Sequence, residues 1–188
     1  MQRTEPANVT AAPTNQMLLC AVMSCLLLLT IHAQVEEDYD CPSSPSMVHA
    51  SCKVYTVFEN PCTTVQQEMM KRVNGQADGT WTDPHNGGNY TALSTPAGLP
   101  ATWEFSRVTG DGKYTDLINY AFYAYGETSC QMYACSESQV FSISDYGTNY
   151  CNIHSLYCDE KGCNPFYKLF YDELVDKCTQ ADEDICVM

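Results

Sequence analysis

The sequence predicts an all-β domain, an antiparallel meander closed as a barrel or packed as a sandwich, with a short N-terminal helix, a longer C-terminal helix and many disulfides. Three observations carry that expectation. Residues 102–108 and 113–125 flank Thr109-Gly110-Asp111-Gly112, a hairpin signal because glycine accepts the positive φ that tight turns require. Further strand-like segments at 129–134, 139–146 and 150–157 follow with short links, and strands joined by short links pair as neighbours. Finally, ten cysteines lie beyond an apolar leader: Cys41, Cys52, Cys62, Cys130, Cys135, Cys151, Cys158, Cys163, Cys178 and Cys186. An even number in a secretory compartment reads as five disulfides, with the pairing left open.

The elements can be justified in chain order. Residues 17–31 form an uncharged apolar run of fifteen, shorter than the roughly 20 residues a membrane span needs but suited to a signal-peptide core. Ala33 offers a cleavage site before Gln34, so residues 1–33 read as a signal peptide with a polar leader, and Cys20 and Cys25 leave with it. Residues 34–61 form an acidic, proline-rich N-terminal segment, expected to be a mobile leader as far as Cys41. Residues 62–188 form the disulfide-stapled β domain with its C-terminal helix. A short helix is expected over 65–73, capped by Thr64 with Gln67 as its capping-box partner. Gly, Pro, Asn and Thr are dense from 74 to 100, which reads as loops around two short strands at 79–82 and 90–94. In the strand 113–125, Tyr114, Ile118, Tyr120 and Phe122 share a face, with Asp116 the polar exception. Asn164-Pro165 opens the last helix, in which Phe166, Leu169, Phe170, Leu174 and Cys178 recur at helical spacing.

A net charge of −14 disfavours nucleic acid as a partner, since that binding neutralises phosphates with Lys and Arg. The same charge would attract calcium weakly. Asn89-Tyr90-Thr91 is an N-glycosylation acceptor, whereas Asn8 lies ahead of the leader and should carry no glycan. The thirteen tyrosines all follow the leader and suit half-buried strand positions. No CxxC pair occurs and the four histidines are scattered, so neither a metal nor a cofactor is expected.

No catalytic constellation stands out. The stretch from Tyr150 to Cys158, with His154 at its centre, is similar to the cysteine-flanked histidine of secreted phospholipases A2. Ser155, however, stands where the calcium-binding aspartate is required, and without that carboxylate the metal cannot polarise the substrate. His154 is therefore expected to be a surface or strand histidine. Asp83-Pro84-His85 places a carboxylate near a histidine, but in a loop without an activated nucleophile. The Gly-x-Ser-x-Gly elbow is absent, and Gly110-Asp111-Gly112-Lys113 is explained by its turn. The chain is expected not to be an enzyme.

Gly79-Thr80-Trp81 and the later Thr148-Asn149-Tyr150 together resemble the Gly-x-Trp signature and the Thr-Asp-Tyr turn of lipocalins, with Asn149 in place of the aspartate. That resemblance implies that Trp81 closes a barrel floor with Thr148 to Tyr150 beside it. It also implies an interior that holds a small apolar ligand among Tyr and Phe side chains. The sequence singles out no ligand-binding residue. Two functions are thus expected for the secreted chain, with no membrane association after cleavage. One is non-enzymatic binding of a small apolar ligand; the other is an acidic structural role in an extracellular or calcified matrix, such as shell or skeleton.

Overall fold

In the computed structural model, which describes residues 39–187, the first regular element is β1 (Ser51–Phe58). The apolar leader, the expected cleavage site, Cys20, Cys25 and Asn8 lie outside the described residues. β1 sits inside the segment expected to be an acidic N-terminal stretch. Its β-branched run alternates strictly, turning Cys52, Val54, Thr56 and Phe58 inward, and this periodicity of two is what a half-buried strand requires.

Next comes α1 (Cys62–Asp78), 17 residues long and so longer than the expected 65–73. It begins at Cys62 after Pro61, whose fixed φ suits a helix start but whose side chain makes no capping hydrogen bond. Thr64 therefore lies within the first turn rather than at the cap. Cys62, Val65, Met69 and Val73 recur at three- and four-residue intervals and bury one stripe. Gly79 ends the helix in the left-handed conformation at φ 75°, and Asp78 accepts hydrogen bonds from the Thr80 backbone and hydroxyl. Residues 79–82, expected as a strand, are thus the helix terminus.

β2 (Asn89–Ser94), β3 (Ala101–Val108), β4 (Thr115–Tyr125) and β5 (Ser129–Ser138) then form a meander, each antiparallel to the next; β3 to β5 are the first three strands of the expected one, and β2, expected as a short strand among loops, joins it. Asp116, the polar exception in β4, is buried on the same face as Ile118, Tyr120 and Phe122, whereas Tyr114 is exposed. The expected strand at 139–146 is a loop. The expected strand at 150–157 is replaced by α2 (Thr148–His154), initiated when Asp145 accepts the backbone N–H groups of Gly147 and Asn149.

The longer C-terminal helix does not form. Its residues give the strand β6 (Tyr171–Cys178), which pairs with the free edge of β1, and a short 3₁₀ turn follows at Glu183–Ile185. The helical spacing of Phe166, Leu169, Phe170 and Leu174 is outweighed by two tertiary demands. The backbone of β1 needs a second partner, and Cys52 opposite Cys178 fixes the pairing covalently.

The six strands run in the order β2-β3-β4-β5-β1-β6. The sheet is open, with β2 and β6 as edges, and among the described residues it neither closes as a barrel nor faces a second sheet. Helices cover the inner face instead, giving two layers around one core that includes Phe58, Met69, Trp81, Phe105, Tyr120, Phe122 and Ile153. All ten expected cysteines pair, as Cys41–Cys135, Cys52–Cys178, Cys62–Cys130, Cys151–Cys186 and Cys158–Cys163.

Candidate functional site: a cleft at the loop end of the sheet

Three connections meet at one end of the sheet: residues 83–88 after α1, the β3–β4 turn, and the long link from β5 to α2. Between them lies a cleft of about 560 Å³, within the range of small-molecule sites. The β5–α2 link carries the alternation Val140-Phe141-Ser142-Ile143 that reads as a strand in sequence. Released from a sheet, it leaves Phe141, Ile143 and Tyr146 67%, 72% and 79% exposed, and these line the cleft with Tyr114. Large apolar side chains gathered around one concavity mark a binding surface more than solvated loops do.

The floor is polar and buried. Asp116 is 2% exposed and lines the cleft from the start of β4. Its Oδ2 accepts a 2.8 Å hydrogen bond from Asn152 of α2, and the same amide donates to Ser136 at 3.0 Å. Ser136 donates to Asn149 Oδ1 at 2.7 Å, and the Asn149 amide in turn donates to Asp145 Oδ2 at 2.8 Å. This chain of bonds ties the end of the β5–α2 link at Asp145 to the sheet, so the cleft wall is positioned. Burial pushes the Asp116 carboxyl up from its ordinary value. Hydrogen bonds from Asn152 and Ser138 and the charge of Arg107 oppose that rise, and Asp145 adds to it. The hydroxyls around the cleft are engaged: Thr148 donates to the Asp145 carbonyl at 2.6 Å, and Ser142 accepts the Ala50 N–H at 2.8 Å.

Beside the cleft, the Asp83-Pro84-His85 loop wraps Arg107. The Arg107 Nη2 donates to Asp83 and, at 2.5 Å, to the His85 carbonyl, while the Tyr90 ring lies 5.5 Å from the guanidinium carbon. Asp83 also accepts the Gly88 N–H at 2.7 Å. His85 Nδ1 donates to the Ile185 carbonyl at 3.0 Å, and burial lowers its pKa, keeping the ring neutral at pH 7.

His154 is neither a surface nor a strand residue. It is buried in α2 between Glu173 of β6, 3.2 Å from Nδ1, and Glu160, 3.4 Å from Nε2. Tyr150 and Tyr157 both donate to Glu173. Burial works against the imidazolium, but the two carboxylates outweigh it and hold His154 up to about 9. Glu160 is drawn down to about 2 by its contact with His154. A histidine held in this way is protonated at neutral pH and joins α2 to β6 as an ion cluster, without the free base that proton abstraction requires.

The motif residues fall in separate places. Gly79 terminates α1. Trp81 is buried, donates its indole N–H to the Cys163 carbonyl at 2.9 Å and packs beside Tyr90. Thr148, Asn149 and Tyr150 open α2; Thr148 lines the cleft, Asn149 belongs to its floor network, and Tyr150 belongs to the His154 cluster. Among the described residues no hydrogen bond or ring contact joins Trp81 to these three. Asn89 is exposed at the start of the edge strand β2. Among the described residues two groups have metal-ligand spacing, Cys41/Cys135/Glu137 and His154/Cys158/Glu160, but each draws its sulfur from a disulfide and so lacks a thiolate donor. No helix among the described residues is long and apolar enough to cross a membrane.

The wall residues Phe141, Ile143 and Tyr146 and the floor residue Asp116 are not singled out by sequence reasoning as ligand contacts. The only signals were an apolar alternation with no charge and one carboxylate on an apolar strand face. Set beside protein-family models, curated proteins and solved structures, the chain matches none of them.

Proposed function

We propose that this chain is a secreted, non-enzymatic extracellular protein that takes up a small apolar ligand in the cleft between the β3–β4 turn and the β5–α2 link. The observation that carries this reading is the exposure of Phe141, Ile143 and Tyr146 around a concavity of about 560 Å³. Covering those side chains with a ligand would remove apolar area from water at about 25 cal/mol per Å². The ligand class is the one implied by the resemblance to lipocalins, held here in a cleft at the sheet end instead of a barrel. Five disulfides are compatible with an oxidising extracellular setting.

The test uses the neutral fluorophore N-phenyl-1-naphthylamine with the full-length secreted protein. Saturable fluorescence enhancement at micromolar probe is expected. A Phe141→Ser/Ile143→Ser double variant should bind roughly tenfold more weakly through lost apolar contact. Absence of saturable uptake, or equal uptake by the variant, counts against the cleft. The matrix role rests on the −14 charge. It would gain support only if the probe were refused while the protein associated with calcium mineral.

A further inference from the structure

The cleft combines apolar walls with an unbalanced negative floor, and this sets the charge of what it takes. The charged groups around it can be paired off. Arg107 is matched by Asp83. Lys113 lies 2.8 Å from Asp111 on the β3–β4 turn. His85 contributes no charge, because burial keeps it neutral. Two carboxylates remain, Asp116 on the floor and Asp145 on the wall. Their hydrogen-bond donors are neutral: the Asn152 amide and the Ser138 hydroxyl for Asp116, and the Asn149 amide and backbone N–H groups for Asp145. Asp116 is almost fully buried and lies opposite Arg107 in the β3–β4 register, but that guanidinium is bonded to Asp83 and balances only one of the carboxylates around it, so a cation entering the cleft would complete the neutralisation.

We propose that the ligand is an organic cation, an apolar body bearing an ammonium group, with the body against Phe141, Ile143 and Tyr146 and the ammonium between Asp116 and Asp145. This rests on the cleft being the apolar binding site and adds the charge of the occupant. An ammonium supplies three donors and no acceptor, complementing a floor of carboxylate oxygens. A carboxylate ligand would meet like charge, and an alcohol would gain no ion pair. A bare metal ion would leave the apolar wall uncovered.

The experiment displaces N-phenyl-1-naphthylamine from the full-length secreted protein with three ligands of one chain length: decylammonium, decanol and decanoate. Decylammonium is expected to bind about tenfold tighter than decanol, the scale of one charge-assisted hydrogen bond. Decanoate is expected to be the weakest. Asp116→Asn should erase most of the ammonium preference and leave decanol unchanged. Asp145→Asn gives a second reading if the first variant fails to fold. The preference should also shrink in high salt, and on acidification, because burial raises the Asp116 carboxyl from its ordinary value and His85, which feels the charge of Asp145, gains a proton. Equal binding of ammonium and alcohol, or tighter binding of decanoate, overturns the charge assignment while leaving the apolar cleft standing. Failure of all three ligands to displace the probe overturns the cleft reading itself.

Discussion

Arg107 places a guanidinium in the inner layer, and the 83–88 loop is folded around it. Asp83 neutralises it, the His85 carbonyl accepts from it, and Gly88 passes so close that an added Cβ would sit 2.3 Å from the guanidinium carbon. The two sides of this arrangement make separate predictions. Asp83→Ala strands a buried cation and should lower stability by about 3–5 kcal/mol. Gly88→Ala keeps both charges but overfills the space beside the guanidinium, and should cost about 1–3 kcal/mol. Guanidinium melts with the disulfides intact would measure both. An Asp83→Ala midpoint equal to that of the parent would mean that the loop does not depend on the pair. Asp83 and His85 are adjacent enough in sequence to suggest a site. Their partner, 24 residues away from Asp83 on β3, is not legible, because a buried arginine looks like any other polar residue on a strand.

Between elements, the His154 cluster is the joint between α2 and β6, and its titration has a definite sign. His154 is raised from 6.5 to about 9, so its contribution is complete below pH 6.5 and is lost as pH rises through 9. Glu160 is lowered from 4.5 to about 2, so its share is present above pH 4.5 and is lost as pH falls through 2. The stability difference between the parent and His154→Gln should therefore be widest between those ordinary values, and narrow toward alkaline and strongly acidic pH. A difference that stayed constant from mild acid to about pH 9 would remove the cluster from the joint. The same joint explains which elements sequence reasoning reached. The meander from β2 to β5 was legible because alternation and the Gly110-Asp111-Gly112 turn agree locally. β1 was hidden by its acidic, proline-rich neighbours, although its Val and Thr content already favoured a strand. α2 and β6 were exchanged in type, strand for helix and helix for strand. Each is decided by a distant partner: Asn152 meeting Asp116 and Tyr120 in one case, and Cys178 meeting Cys52 in the other. The cleft was illegible for the same reason, since its walls come from three separate connections and its floor from β4, β5 and α2.

Across the whole molecule, an open sheet has two edges to protect. β6 carries the charged residues Asp172, Glu173, Asp176 and Lys177, which discourage further strands from adding at its edge. The disulfides divide the remaining task by loop length. Cys52–Cys178 closes a separation of 126 residues, against 5 for Cys158–Cys163. Chain-entropy reasoning assigns more stabilisation to the longer closure, roughly 2–4 kcal/mol in ordinary cases. Cys52 and Cys178 are also direct cross-strand partners, so the bridge secures the one contact that makes β1 a central strand. A Cys52→Ala/Cys178→Ala variant should lose roughly that 2–4 kcal/mol. It should also speed amide exchange first in β6 and along the β6-facing side of β1, while β3 and β4 keep their protection. The mechanism assigns the effect to the edge and not to the core, so hydrogen exchange resolved by segment is the decisive readout. Uniform loss of protection across all six strands would show instead that β6 folds as an inseparable part of the sheet, and that the bridge only shifts the global equilibrium.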